Sequence, residues 1–256
     1  MQVRVLGCSG GIGAGLRTSS LLINDDILID CGTGVGDLSL AEMARLRHVF
    51  LTHSHLDHLA CLPLLIDTLF DHYEAEPLVV HCEPETYGVL DRHVFNWKVW
   101  PDFFRLPSQH APVMRFSPVY PGVPARTGRM DVLPIRVNHT VPGLGYRVTD
   151  GHSAMAFSGD TTTQVGFWDA LNDHEQLDLL IVECGFANRE RQLCRAAKHY
   201  CPSLLCEDLA QLRHRPMTGI SHLKPGEEAV IFEELRASLP DFDLRRLRSG
   251  DVFELP

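Results

Sequence analysis

The chain has no run approaching the roughly 20 consecutive apolar residues of a membrane-spanning helix. Its first residues, Met1 to Gly7, alternate like a strand and do not form the apolar core of a secretory signal. Positive charge is scarce: 23 Lys and Arg stand against 33 Asp and Glu, a net charge of −10. Phosphate-backbone binding draws on clustered basic side chains, so a large nucleic acid is not an expected partner. That balance excludes neither a small anionic substrate held by metal ions nor a homodimer. The eight cysteines (8, 31, 61, 82, 184, 194, 201, 206) show neither paired zinc spacing nor a disulfide framework. We therefore expect a reduced, cytoplasmic protein with no membrane association.

A dinucleotide fingerprint is missing too. Gly7-Cys8-Ser9-Gly10-Gly11-Ile12-Gly13-Ala14-Gly15 is rich in glycine, but it lacks the G-x-G-x-x-G spacing and leads into strands (Ser20 to Ile23, Ile27 to Asp30) where a helix would be required. It reads either as a tight loop passing close to the metal site, with backbone N–H groups available to a phosphate, or as a plain turn. No repeat or low-complexity segment divides residues 1–256, which are expected to form one domain.

What is present is a concentration of imidazole and carboxylate. The apolar run Val49-Phe50-Leu51 stops at Thr52-His53-Ser54-His55-Leu56-Asp57-His58. His53 and His55, two apart in a nearly extended chain, point to the same side. Asp57 and His58 open an apolar stretch, Leu59 to Phe70, that reads as a helix, so they sit where strand becomes helix. Four N/O ligands within six residues exceed the need of one tetrahedral ion with an open position, and two ions are the economical reading. Helix capping by Asp57 explains one or two of these residues, not all four.

The same step from a β-rich run to a polar residue recurs along the chain. Val132 to Val137 is followed by Asn138-His139, Ala154 to Ser158 by Gly159-Asp160, Leu179 to Val182 by Glu183, and Thr218 to Ser221 by His222. Helical spacing is seen over Leu38 to Leu46, from Pro84, over Arg189 to Ala197, over Ser203 to Leu212 and over Gly226 to Leu239; Pro118 to Gly128 reads as a surface loop. Strands alternating with helices indicate α/β layering. Asn96 to Phe104 gathers Trp97, Trp100 and two phenylalanines without regular period, which suits either core or a lid whose rings stack on a base.

The pattern His-x-His-x-Asp-His resembles the signature of the metallo-β-lactamase superfamily. That resemblance implies a four-layer αββα sandwich of two mixed β-sheets flanked by helices. Carried over by position, it puts His53, His55 and His139 on one metal and Asp57, His58 and His222 on a second, with Asp160 bridging them. Such a donor set suits zinc, with manganese or iron as alternatives.

Glu183, followed by His199 in the next helical region, resembles the phosphodiesterase branch of the superfamily, where a Glu orients a His. The Leu6-to-Gly11 segment, the leucine between His55 and Asp57, the Glu183-to-Asn188 stretch and Ile220-Ser221-His222-Leu223-Lys224-Pro225 together resemble class II 3′,5′-cyclic-nucleotide phosphodiesterases. Cys61 and Pro63 depart from that family's pattern after His58. The implied activity is hydrolysis of cyclic AMP or cyclic GMP to the 5′-monophosphate. Asp57 would then steer the attacking water, His199 would protonate the 3′-oxygen under the control of Glu183, and Trp97 and Trp100 would contact substrate. The alternatives are a tRNA 3′-processing endonuclease, a thioester or lactam hydrolase on the same fold, and a metal-binding sensor.

Overall fold

The computed structural model describes residues 1–164 and 166–256. Two seven-stranded mixed sheets stack face to face. The first contains β1 (Gln2–Gly7), β2 (Ser20–Ile23), β3 (Ile27–Ile29), β4 (His48–Phe50) and β5 (Leu78–Cys82). After the short ribbon of β6 (Pro107–Ser108) and β7 (Ala111–Pro112), β8 (Met114–Pro118) closes one edge of this sheet, while β16 (Val252–Glu254) pairs with β1 at the other. The second sheet runs β9 (Ala125–Thr127), β10 (Met130–Val137), β11 (Gly143–Thr149), β12 (Ala154–Phe157), β13 (Leu179–Glu183), β14 (Met217–Ser221), β15 (Leu244–Arg246). Each sheet joins an antiparallel half to a parallel half, the change falling between β3 and β4 in one and between β12 and β13 in the other.

Alternation along the strands sorts side chains into layers. Leu21, Ile23, Ile27 and Ile29 turn inward to meet Tyr146, Val148, Met155, Phe157 and Ile181 of the second sheet. Leu22, Leu28, Val49 and Val80 turn outward against Leu62, Leu65, Ile66 and Tyr73, while Ala156, Leu180 and Val182 meet Trp168, Leu204, Leu205, Ile231 and Leu235. Three apolar seams separate four layers, which is the αββα sandwich that the family resemblance implies. Because both faces of the central strands are buried, they read as continuous apolar runs.

The first helical face holds α1 (Leu40–Met43), α2 (Leu56–Leu59), α3 (Leu62–Thr68), α4 (Phe70–Ala75) and α5 (Pro84–Val89); the second holds α6 (Gly166–Asn172), α7 (Arg191–Ala197), α8 (Pro202–Leu209) and α9 (Glu228–Ser238). The single helix expected over Leu59 to Phe70 is corrected to three. Pro63 lies in the first turn of α3, where its missing N–H costs nothing, so a new helix starts there and the one carrying Asp57 and His58 ends at Leu59. The helix expected over Leu38 to Leu46 contracts to one capped turn, Ser39 and Glu42 forming a reciprocal capping box. Residues 125–127, inside the expected loop, form β9 by pairing with Met130 to Val132.

Candidate metal centre and its flanking acid–base pair

Loops at one end of the sandwich bring the candidate residues together. His53 and His55 follow β4, Asp57 and His58 open α2, His139 follows β10, Asp160 follows β12, and His222 follows β14. Gly159 makes the turn that delivers Asp160: its φ is +58°, and a Cβ there would lie 2.9 Å from the Leu144 carbonyl oxygen.

Two groups of donors form around one carboxylate oxygen. Asp160 Oδ2 lies 3.7 Å from His53 Nε2 and 3.9 Å from His139 Nε2, and His139 Nε2 is 3.2 Å from His55 Nδ1. The same Oδ2 lies 3.3 Å from both His58 Nε2 and His222 Nε2, which are 3.5 and 3.4 Å from Asp57 Oδ2. One group is thus His53, His55, His139 and Asp160, the other Asp57, His58, His222 and Asp160.

The far side of each ring decides what these nitrogens offer. His58 Nδ1 donates to Asp30 Oδ2 at 2.6 Å, and His139 Nδ1 donates to the Lys198 carbonyl at 3.0 Å; both partners only accept, so in the neutral ring the proton sits on Nδ1 and the lone pair is left on the inward Nε2. His53 Nδ1 is engaged by the Thr52 hydroxyl at 3.0 Å. The Nε2 atoms of His53 and His58 are buried and have no hydrogen-bond partner among the described residues. Buried polar atoms are rarely left so, and these are aimed at a carboxylate oxygen among other imidazoles. Burial pushes His53, His55 and His139 below the usual imidazole range, leaving them neutral donors. All seven residues therefore fit two divalent ions sharing Asp160, with N/O chemistry suited to zinc.

Glu183 and His199 adjoin both groups. Glu183 is fully buried at the end of β13. Its Oε1 accepts from His199 Nδ1 at 2.8 Å and from Thr161 N at 3.0 Å, while Oε2 accepts from Gly185 N and Tyr200 N at 3.0 and 3.3 Å. The carboxylate is fixed by its own backbone cradle, and the imidazole by the carboxylate. Burial disfavours a proton on His199, but the charge and hydrogen bond of Glu183 outweigh it and raise the group to about 9. The His199 ring lies 5.0 Å, centroid to centroid, from both His139 and His222.

Two participants carry no metal-type signature in the sequence. Asp30, at the end of β3, accepts from His58, from Thr52 N and Oγ1, and from the Ser19 hydroxyl. Lys198 accepts from His139 through its carbonyl and returns a 2.9 Å hydrogen bond from Nζ to the His139 carbonyl. Of the five non-glycine residues with positive φ among the described residues, three are Asp30, Lys198 and His222. The chain tolerates left-handed backbone at the residues that aim the site. The aromatic stretch divides: Phe103 and Phe104 are core, Trp100 packs against that core, and Trp97 is 62% exposed.

A family model described as a beta-lactamase superfamily domain matches residues 25–239. The chain belongs to that superfamily. Among its relatives, a probable 3′,5′-cyclic-nucleotide phosphodiesterase of Yersinia pestis is 24% identical over 278 aligned positions, covering 88% of this chain and 78% of that one. A ribonuclease Z of Halorubrum lacusprofundi is 36% identical over 92 residues, or 34% of this chain and 30% of that protein's length. The crystal structure of unliganded yeast PDE1 superposes with a TM-score of 0.82 at 19% identity, covering 99% of each chain. The metallo-β-lactamase fold is thereby shown, and with it a hydrolase scaffold whose His/Asp cluster is able to hold metal.

Proposed function

We propose that the protein is a phosphodiesterase with a two-metal centre that hydrolyses 3′,5′-cyclic nucleotides to 5′-monophosphates. The observation that carries this reading is the pair of buried Glu183 and partly exposed His199 beside both donor groups. Hydrolysis of a lactam or thioester has no special need for a held imidazolium at this place. A phosphodiester does, because a sugar alkoxide departs poorly without a proton.

When bound, the two ions supply a water activated near neutral pH and offset charge on the phosphoryl oxygens. The chain's own residues do the rest. Asp57, partly exposed at the mouth and facing His222, orients the attacking water. His199 carries a proton at physiological pH because Glu183 stabilises its charged form, and its Nε2 delivers that proton to the departing 3′-oxygen. Glu183 cannot drift, since its oxygens are held by three backbone N–H groups.

The ribonuclease Z relatives support a second reading, cleavage of a tRNA precursor by the same groups. The net charge of −10 favours the small substrate. Zinc-loaded protein assayed in parallel on cyclic AMP, cyclic GMP, a tRNA precursor and a lactam distinguishes the readings. Release of a 5′-monophosphate supports ours, and RNA cleavage without cyclic-nucleotide turnover overturns it.

A further inference from the structure

Cys8 and Ser9, which line a small cavity with Asp160 and His222, also line a separate pocket of about 370 Å³. That volume is within the range of small-molecule sites, roughly 300–1,000 Å³. Its lining combines three kinds of group. Leu16, Leu223 and Leu247 are the apolar residues of its floor, Arg246 and Arg248 are basic residues of its lining, and Glu228 is an acidic one.

The charges there are unevenly matched. Arg17 also lines the pocket, but its guanidinium is committed to Asp37 through bonds of 2.8 and 3.1 Å. Neither Arg246 nor Arg248 has a carboxylate within 4.0 Å among the described residues, whereas the adjacent Arg245 is paired with Asp243. Asp251 accepts from the backbone N–H of Arg248, not from its side chain. In a protein of net charge −10, two arginines without a carboxylate partner lining one cavity oppose the overall field. Ser9, on the wall between this pocket and the metal centre, is 7% exposed, and its buried hydroxyl has no hydrogen-bond partner among the described residues.

We propose that this pocket binds a nucleoside monophosphate, independently of the catalytic centre. Guanidinium forks match phosphate oxygens, which carry about −1.5 to −2 charges in a monoester at pH 7. The leucine floor suits a base, and the Glu228 carboxylate accepts from sugar hydroxyls. The position is consequential, because the Cys8-to-Gly10 segment forming the wall is clipped to the His222 loop. His222 N donates to Cys8 O at 2.7 Å, Gly10 N donates to Leu223 O at 3.1 Å, and a Cβ on Gly10 would lie 2.9 Å from His222 Nδ1.

The test is calorimetry on the metal-loaded full chain with AMP, inorganic phosphate and adenosine as probes, repeated on Arg246→Ala/Arg248→Ala and on the milder Arg248→Gln. Both arginines are exposed, so metal content and melting temperature should match the parent. We expect a saturable AMP-binding event that weakens at least tenfold in the double variant and less in Arg248→Gln, with inorganic phosphate and adenosine each binding more weakly than AMP. AMP binding identical in parent and double variant, or absent from both, overturns the proposal. Inorganic phosphate matching AMP overturns the nucleotide assignment, since the apolar floor then contributes nothing.

Discussion

Asp30 Oδ2 sits 2.6 Å from His58 Nδ1, although 28 residues separate them in the chain, and both side chains are fully buried. The carboxylate also takes two hydrogen bonds from Thr52, the residue immediately before His53. One group therefore sets the tautomer of His58 and anchors the start of the motif. Asp30→Asn keeps the shape and removes the charge that holds Nδ1 protonated. Affinity for the second ion is expected to fall about 10–100-fold, the usual worth of an outer hydrogen-bond partner of a metal-bound histidine. Zinc competition against a chromophoric chelator measures this, and an unchanged affinity would mean that Thr52 alone orients the ring.

Among the described residues, Asp160 alone is common to both donor groups, through one oxygen. Asp160→Ala should therefore reduce occupancy at both positions, whereas His55→Ala should act on one. Elemental analysis after dialysis reads the difference. Loss of only one ion from the Asp160 variant would show that the groups are separate sites.

Much of this site was legible because its chemistry is concentrated. His53, His55, Asp57 and His58 stand together after an apolar strand, and no bland packing role accounts for all four. Asp30 was not, because a carboxylate at a strand end gains meaning only when tertiary structure lays it against His58. Lys198 contributes through its carbonyl and left-handed backbone, features its side-chain type does not advertise. Among the strands, buried β13 is a plain apolar run. The edge strands β15 and β16 have mostly exposed or half-exposed positions and too little hydrophobic alternation to stand out.

A second pair, half-buried His48 against buried His81, bears on stability and not on catalysis. His48 Nδ1 and His81 Nε2 are 3.0 Å apart, and the His81 ring stacks on Phe50 at 4.2 Å. Burial, reinforced by the neighbouring His48, lowers His81 from 6.5 to about 3. A histidine depressed in the folded state binds fewer protons there than in the unfolded chain. Stability is therefore intact above the unfolded value and declines as pH falls below it, throughout the window from 6.5 down to about 3. At pH 5 the His81 contribution to this loss is about 2 kcal/mol. Urea titrations from pH 7.5 to 5 should show a shallower decline for His81→Leu than for the parent. Parallel declines would mean that the imidazole is protonated in the fold.

The assignment most open to direct attack is the proton donor. His199 is held by Glu183 at 2.8 Å and lies beside both donor groups, while the seven metal-type ligands already account for water activation and phosphoryl charge. The unmet demand is a proton for the 3′-alkoxide. His199→Ala should leave metal content intact and lower kcat on a cyclic nucleotide about 10²–10⁴-fold, the usual worth of a positioned general acid. Glu183→Gln should act in the same direction with smaller effect, because it weakens the stabilisation of the imidazolium without removing the ring. A p-nitrophenyl phosphodiester separates this role from a structural one, since nitrophenolate departs without protonation. The His199→Ala defect should largely vanish on that substrate. An equal loss on both would mean that His199 binds substrate or supports the loop, and the donor role would then pass to a water or to another side chain.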